Sequence, residues 1–325
     1  MSLTVWTNHE LRPEARALLQ AELARAGHRL IQSASSSASV LAAGGADPTL
    51  AEADIAFGQP DVADLMRLTK LRWVALTTAG YTRYDRDDLR VALQARGAVL
   101  TKASEVFADA CAQQMLAGML ALARRLPSQL RNQDGARQWL YLEDRFLATL
   151  LTDQAVVLLG FGTIGRRLVA LLKPFGGIVT AYRRTPRGDE GIAVVTDAGL
   201  PAALAAADHV VNLLPDSAAT RGFMDAARFA QMKPGARFYN VGRGTTVDQA
   251  ALMAALQCGQ VDAAYLDVME PEPLPPAHPL WSTPNCFITC HVGGGTREQD
   301  EKLVRLFLDN LARFERGEPL VDRII

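Results

Sequence analysis

The feature that most limits what this chain can become is the stretch Val156-Val157-Leu158-Leu159-Gly160-Phe161-Gly162-Thr163-Ile164-Gly165. A short apolar run, the right length for a buried strand, leads directly into Gly-x-Gly-x-x-Gly, and an amphipathic helical pattern begins at Ile164. In that setting each glycine has a task. Gly160 permits a tight turn, Gly162 lets backbone approach a pyrophosphate, and Gly165 lets helix and strand pack closely. The helix start adds free N–H groups and the positive end of a dipole. The plain alternative is a turn before a packed helix. Strand before and helix after favour a dinucleotide site.

At 325 residues the chain is long enough for two domains, each with its own core. An apolar content of 49% with 21% charged residues is that of an ordinary globular protein. The net charge of −1 gives no electrostatic reason to expect nucleic acid or an anionic membrane as partner. The start, Met1-Ser2-Leu3-Thr4-Val5-Trp6, lacks a basic segment followed by an apolar one, so no secretory signal is expected. No apolar run reads as membrane-spanning. The cysteines Cys111, Cys258, Cys286 and Cys290 form no Cys-x-x-Cys pair and no zinc-site spacing, and read as reduced thiols. A cytoplasmic protein without metal is expected.

Along the chain, strands alternate with helices, the pattern of βαβ units and parallel sheets. The spacing predicts strands over 3–6, 28–32, 53–58 and 71–76, with helices over 13–26 and 61–68. Ser33 to Ser39 and Ala42 to Pro48 read as surface loop. A long apolar helix is predicted from Phe107 to Leu126. Residues 127–152 read as polar and irregular, with Trp139 and Tyr141 exposed. From Ala155 a six-strand parallel pattern runs to about residue 290, as a doubly wound nucleotide-binding domain requires. Thr296 to Arg316 is a closing helix that returns to the N-terminal domain.

The second cofactor determinant departs from the usual one. NAD sites place an Asp or Glu about 20 residues after the glycines, on the ribose 2′-OH. Here the strand ends Tyr182-Arg183-Arg184-Thr185-Pro186-Arg187, with no acid before Asp189. Arg183, Arg184 and the Thr185 hydroxyl suit a 2′-phosphate, so NADP(H) is expected over NAD(H). A solvated arginine pair is the plain alternative.

Three polar residues follow successive strands. Arg243 lies in Asn240-Val241-Gly242-Arg243-Gly244, Glu272 in Met269-Glu270-Pro271-Glu272-Pro273, and His291 in Cys290-His291-Val292-Gly293. A histidine held by a carboxylate has its protonated form favoured and its tautomer set, so it can donate a proton to a carbonyl oxygen. An arginine can pair with a carboxylate and polarise that carbonyl. Earlier in the chain, Thr77-Thr78-Ala79-Gly80-Tyr81 closes a predicted strand, and the amides of Ala79 and Gly80 suit a small carboxylate; a plain turn serves equally well there.

These segments, with Leu214-Pro215-Asp216-Ser217-Ala218-Ala219-Thr220-Arg221 and Met232-Lys233-Pro234-Gly235-Ala236, resemble the D-isomer-specific 2-hydroxyacid dehydrogenase family over most of the chain. The Arg-Arg-Thr pattern is most similar to its NADP-preferring glyoxylate/hydroxypyruvate reductase branch. The resemblance implies an α/β fold of two Rossmann-like domains with doubly wound parallel sheets and an active site in the interdomain cleft. Residues 1–103 with 293–325 would form the flavodoxin-like substrate domain and 104–292 the dinucleotide domain. It implies reduction of a 2-ketoacid, glyoxylate or hydroxypyruvate, to the D-2-hydroxyacid. His291 would be the acid/base, Glu272 its partner and Arg243 the carbonyl-polarising residue. Arg243, His291, Ala79 and Gly80 would bind substrate. Asp267 would lie near the nicotinamide carboxamide, and Thr163, Ile164, Leu214, Pro215, Thr220, Val241, Gly242, His291 and Gly293 would complete the cofactor site. A homodimer through residues 104–150 is implied, with Trp139 reaching the partner's site. Lys102-Ala103, Gln113 and Cys290 depart from the family pattern. A cofactor-sensing, corepressor-like binding protein is the non-enzyme alternative. A formate dehydrogenase-like reading is disfavoured by Glu272, where those proteins carry Gln.

Overall fold

The computed structural model describes residues 2–37, 39 and 44–325. The chain divides into two compact units, Met1–Phe107 with Thr296–Ile325, and Ala108–Gly295.

In the first unit, strands β1 (Thr4–His9), β2 (Arg29–Ser37), β3 (Ile55–Gly58), β4 (Trp73–Leu76) and β5 (Val99–Thr101) form a sheet in the order β2-β1-β3-β4-β5. All its pairings are parallel. That is the flavodoxin-like strand order. Helices α1 (Pro13–Arg25), α2 (Val62–Arg67) and α3 (Asp87–Ala95) connect the strands, and the C-terminal helix α11 (Gln299–Arg316) belongs to the same unit. β3 and β4 are buried along their whole length, which is why they read as continuous apolar runs. Phe307 of α11 stacks on Phe57 and Trp73, with ring centroids 4.5 and 5.1 Å apart.

Two expectations fail here. Ser33 to Ser37 is strand, not loop, because β2 lies at the sheet edge and β1 supplies its backbone partners as far as His9 opposite Ser37. Of the serines only Ser33 is buried, so hydroxyls there cost little. Residues 38, 42 and 43 of the tracts expected to be loop lie outside the described residues. β5 was not expected; it is a short edge strand with no periodicity to show.

The second unit holds β6 (Val156–Leu159), β7 (Val179–Tyr182), β8 (Ala193–Val195), β9 (His209–Asn212), β10 (Ala236–Asn240), β11 (Val261–Leu266) and β12 (Cys286–Ile288). Their order is β12-β11-β10-β9-β6-β7-β8, again parallel throughout. The chain starts in the middle at β6, runs outward to β8, crosses back to β9 and runs outward the other way. The reversal opens a crevice at the carboxyl ends of β6 and β9, where such sheets bind ligands. Of these strands only β8, a short edge strand, escaped the sequence reading.

Helix α4 (Ser104–Ala123) begins earlier than expected and is long and apolar enough to cross a membrane by length and composition, with a mean hydropathy of 1.4. The polar Ser104 and Glu105 lie outside the apolar run and conceal that earlier start on reading the sequence. More than half of the span is buried within the protein, the behaviour of a core helix. Gly118 lets it approach the ring of Tyr265, since a Cβ there would meet the ring at 3.1 Å. The segment expected to be irregular contains α5 (Leu126–Asp134) and α6 (Tyr141–Arg145), neither with a buried residue. The remaining helices are α7 (Thr163–Leu172), α8 (Leu200–Ala206), α9 (Ala226–Gln231) and α10 (Gln249–Gln257).

Candidate active site

The glycine turn leaves β6 at the topological switch. Gly160 has φ +92°, a conformation other residues rarely adopt, and its N–H donates to the Tyr182 carbonyl at 3.1 Å. Gly162 caps α7 with nothing near its missing side chain, and no side chain caps the helix start. The first amides of α7 are therefore left for a ligand, and an anion suits them. Gly165 packs against Phe161 and Leu213. Leu214 closes the adjoining side, where Gly242 approaches its backbone so tightly that a Cβ would lie 2.6 Å from the Leu214 carbonyl oxygen. Thr220 folds the following loop back by donating to the Pro215 carbonyl at 2.6 Å. The cradle fits a pyrophosphate, with Gly160, Gly162, Thr163, Ile164 and Gly165 on one side and Leu214, Pro215, Val241 and Gly242 on the other.

Arg243 follows β10 and is held by its main chain. Its carbonyl accepts from Thr246 Oγ1 at 2.6 Å and Asn240 Nδ2 at 3.2 Å, and its Nη1 donates to the Gly242 carbonyl at 2.6 Å. Asn212 Nδ2 donates to both Asn240 Oδ1 and Thr246 Oγ1, at 2.9 and 2.6 Å. Burial pulls the Arg243 guanidinium below its ordinary range, opposed by the charges of Glu272, Cys111 and Asp216. No acid pairs directly with it among the described residues, so a substrate carboxylate can.

Glu272 and His291 meet. Nδ1 of His291 lies 2.7 Å from Oε2 of Glu272, and Oε1 of Glu272 accepts from the Met269 amide at 2.9 Å. Burial pushes the Glu272 carboxyl up, but the hydrogen bonds from His291 and Met269 and the nearby charges of His291 and Arg243 outweigh it and hold it below the usual range. With Nδ1 engaged, Nε2 is the ring atom left for a substrate. His291 itself is in the left-handed region at φ +51°. Asp267, wholly buried at the end of β11, holds that shape. Its carboxylate accepts from Thr289 Oγ1 at 2.6 Å, Val292 N at 3.0 Å and Gly293 N at 2.9 Å, while its carbonyl accepts from His291 N at 2.8 Å. Cys290 is exposed beside it.

The expected 2′-phosphate residues do not stand together as three free groups. Arg183 Nη1 pairs with Glu190 Oε1 at 2.9 Å, and both side chains are largely buried. The sequence reading found no acid before Asp189, and the acid that matters follows it. Arg184 and Thr185 are exposed. Trp139 is 93% exposed in the single chain.

In the N-terminal unit, the loop after β4 is braced from behind. Gln59 Nε2 donates to Thr77 Oγ1 and Thr78 Oγ1, both at 3.2 Å, and Thr78 Oγ1 donates to the Gly80 carbonyl at 2.7 Å. Ala79 and Gly80 are half-buried residues, and their amides have no partner among the described residues. The sequence reading missed Asn212, Thr246, Thr289, Gln59 and Glu190. A visible signal existed for the first: Asn212 and Asn240 both end strands, and the register sets them side by side.

The family model for the D-isomer specific 2-hydroxyacid dehydrogenase NAD binding domain matches residues 116–293. Glyoxylate/hydroxypyruvate reductase B of Citrobacter koseri is 34% identical over 259 residues, 78% of each chain. A D-isomer specific 2-hydroxyacid dehydrogenase from Xanthobacter autotrophicus Py2, solved with NADPH and MES, aligns over 100% of this chain and 98% of its own at 29% identity and a TM-score of 0.82. An NADPH-dependent glyoxylate/hydroxypyruvate reductase from Sinorhizobium meliloti, solved with NADP and sulfate, covers the same shares at 26% identity and a TM-score of 0.77. A glycine cradle for a nicotinamide dinucleotide thus lies in the same unit as a histidine–glutamate pair and an unpaired arginine, in a chain whose relatives are reductases; the protein belongs to the D-isomer specific 2-hydroxyacid dehydrogenase family.

Proposed function

We propose that this protein reduces a small 2-ketoacid to the D-2-hydroxyacid, with glyoxylate or hydroxypyruvate as substrate. The observation that carries the reading is the His291–Glu272 pair at 2.7 Å, with the Arg243 charge acting on the same carboxylate. A bound nicotinamide cofactor supplies the hydride. Nε2 of His291 donates the proton that the carbonyl oxygen takes up, and Glu272 keeps Nδ1 engaged so that Nε2 faces the substrate. Arg243 pairs with the substrate carboxylate and draws charge from the carbonyl. Asp267 keeps the His291 backbone in place. The unpartnered amides of Ala79 and Gly80 suit a carboxylate, and the braced loop after β4 holds them ready.

The substrate choice is supported by the names of the Citrobacter and Sinorhizobium relatives. The cofactor is read as NADP(H) because Arg184 and Thr185 are exposed at the end of β7, with Arg187 nearby, and because both structures named above were solved with NADPH or NADP. A homodimer through residues 104–150 is part of the reading, supported by Leu130, Trp139, Phe146 and Leu150, all more than half exposed in one chain. So is a cytoplasmic location. Initial rates with a panel of 2-ketoacids, each with NADPH and with NADH, test it. Turnover of glyoxylate or hydroxypyruvate with a lower KM for NADPH is expected, and absence of turnover with every 2-ketoacid would overturn it.

A further inference from the structure

The turn after β7 contains a buried carboxylate. Glu190 is only 7% exposed. Its Oε1 accepts from Arg183 Nη1 at 2.9 Å and from the Arg187 amide at 2.7 Å, and its Oε2 accepts from the Gly188 amide at 2.8 Å. One side chain thus closes residues 183–190 into a ring. Beside it, Asp189 anchors the turn to the helix of the glycine cradle. Arg166 on α7 donates to the Asp189 carbonyl at 3.0 Å and to its Oδ2 at 2.9 Å. The turn leaves the sheet next to that cradle, since Tyr182 lies in register with Leu159 and accepts from the Gly160 amide at 3.1 Å. In a dinucleotide fold this strand end meets the adenosine ribose.

The charges in the turn then sort themselves. Arg183 is neutralised by Glu190, and Asp189 by Arg166. Arg184 and Arg187 are exposed, and neither has an ion-pair partner among the described residues. We propose that Glu190 is a positioning residue for the ribose 2′-phosphate, closing the 183–190 turn on Arg183 so that Arg184 and Arg187 are the cations offered to the phosphate. This rests on the NADP(H) reading above. It reverses what the sequence suggests for Arg183, which becomes part of the frame and not a ligand. It also gives an acid in this turn a role opposite to that of the acid in NAD sites: Glu190 is taken up by protein donors and does not face the 2′-OH.

Calorimetric titration of the purified protein with 2′,5′-ADP and with 5′-AMP isolates the 2′-phosphate without requiring turnover. Wild type is expected to bind 2′,5′-ADP more tightly. Arg184→Ala should lose about tenfold or more of that preference, and Glu190→Ala a similar factor, with 5′-AMP affinity held in both. Glu190→Gln keeps one acceptor oxygen but loses the charge, and should fall between; it also serves if Glu190→Ala does not fold. If wild type shows no preference for 2′,5′-ADP, the NADP(H) reading itself fails. If Arg184→Ala abolishes the preference while Glu190→Ala preserves it, or weakens both probes equally, Glu190 is only a staple of the turn. A rise in 2′,5′-ADP affinity on removing Glu190 would show that it competes with the phosphate for Arg183, and would also overturn the proposal.

Discussion

Nδ1 of His291 stands 2.7 Å from Oε2 of Glu272, and the other oxygen of that carboxylate is fixed by the Met269 amide at 2.9 Å. The pair is therefore oriented from the carboxylate side, and the imidazole has one free nitrogen. Glu272→Gln keeps the shape and removes the carboxylate charge beside Nδ1. If the carboxylate orients the imidazole for proton donation, kcat for 2-ketoacid reduction should fall by about tenfold or more while NADPH affinity is retained. An unchanged kcat would mean that Glu272 acts only as a spacer.

Asp267 makes a separate prediction. Its buried carboxylate takes three donors from the loop that bears His291. Asp267→Asn turns an NH₂ group toward an N–H and should destabilise the second unit by about 1–3 kcal/mol. Activity should fall further than stability does, because the left-handed backbone of His291 relaxes when its frame is lost. Thermal melts read beside kcat distinguish the two effects; equal behaviour of variant and wild type in both would contradict the assignment.

His209 sets a pH dependence away from the site. It is buried between Tyr239 Oη and Gln154 Oε1, at 3.0 and 2.6 Å. Burial, helped by the Arg237 charge and opposed by Asp208, lowers its pKa from 6.5 to about 4. The folded state therefore holds this histidine neutral where an unfolded chain would already be protonated. Its contribution is complete above about pH 6.5 and is lost as pH falls toward 4, about 2 kcal/mol of it between pH 7 and pH 5. Urea unfolding of the second unit at those two pH values measures the loss. His209→Gln should flatten it, and an unchanged slope would contradict the account.

The reading of the sequence succeeded where backbone chemistry is local. Gly160 needs its positive φ, the buried strand β6 reads as an apolar run, and Arg243, Glu272 and His291 each follow a strand end. It failed where pairing in space decides. Ser33–Ser37 is strand because β1 provides partners, and β5 and β8 are too short to show a period. Arg183 looked like a phosphate ligand because its partner, Glu190, comes back to it only through the turn. The bracing of Arg243 by Asn212 and Thr246 joins residues 28 and 34 positions apart, invisible without the register.

The exposed apolar residues of 126–150 predict assembly. Sedimentation should find a dimer, and Phe146→Asp with Leu130→Asp should shift it toward monomer, since Phe146 and Leu130 are 77% and 59% exposed in one chain. A wild-type monomer at micromolar concentration would contradict the interface.

One variant puts the proposed proton transfer from His291 to the substrate carbonyl to the test. Because His291 has φ +51°, His291→Asn is the suitable replacement: asparagine tolerates that backbone but cannot act as the acid. The measurement is NADPH oxidation with hydroxypyruvate and with glyoxylate, beside calorimetric NADPH binding to the same samples. Wild type should turn over, and the variant should lose about a hundredfold or more of that rate with NADPH affinity retained. Turnover by His291→Asn at the wild-type rate would contradict it.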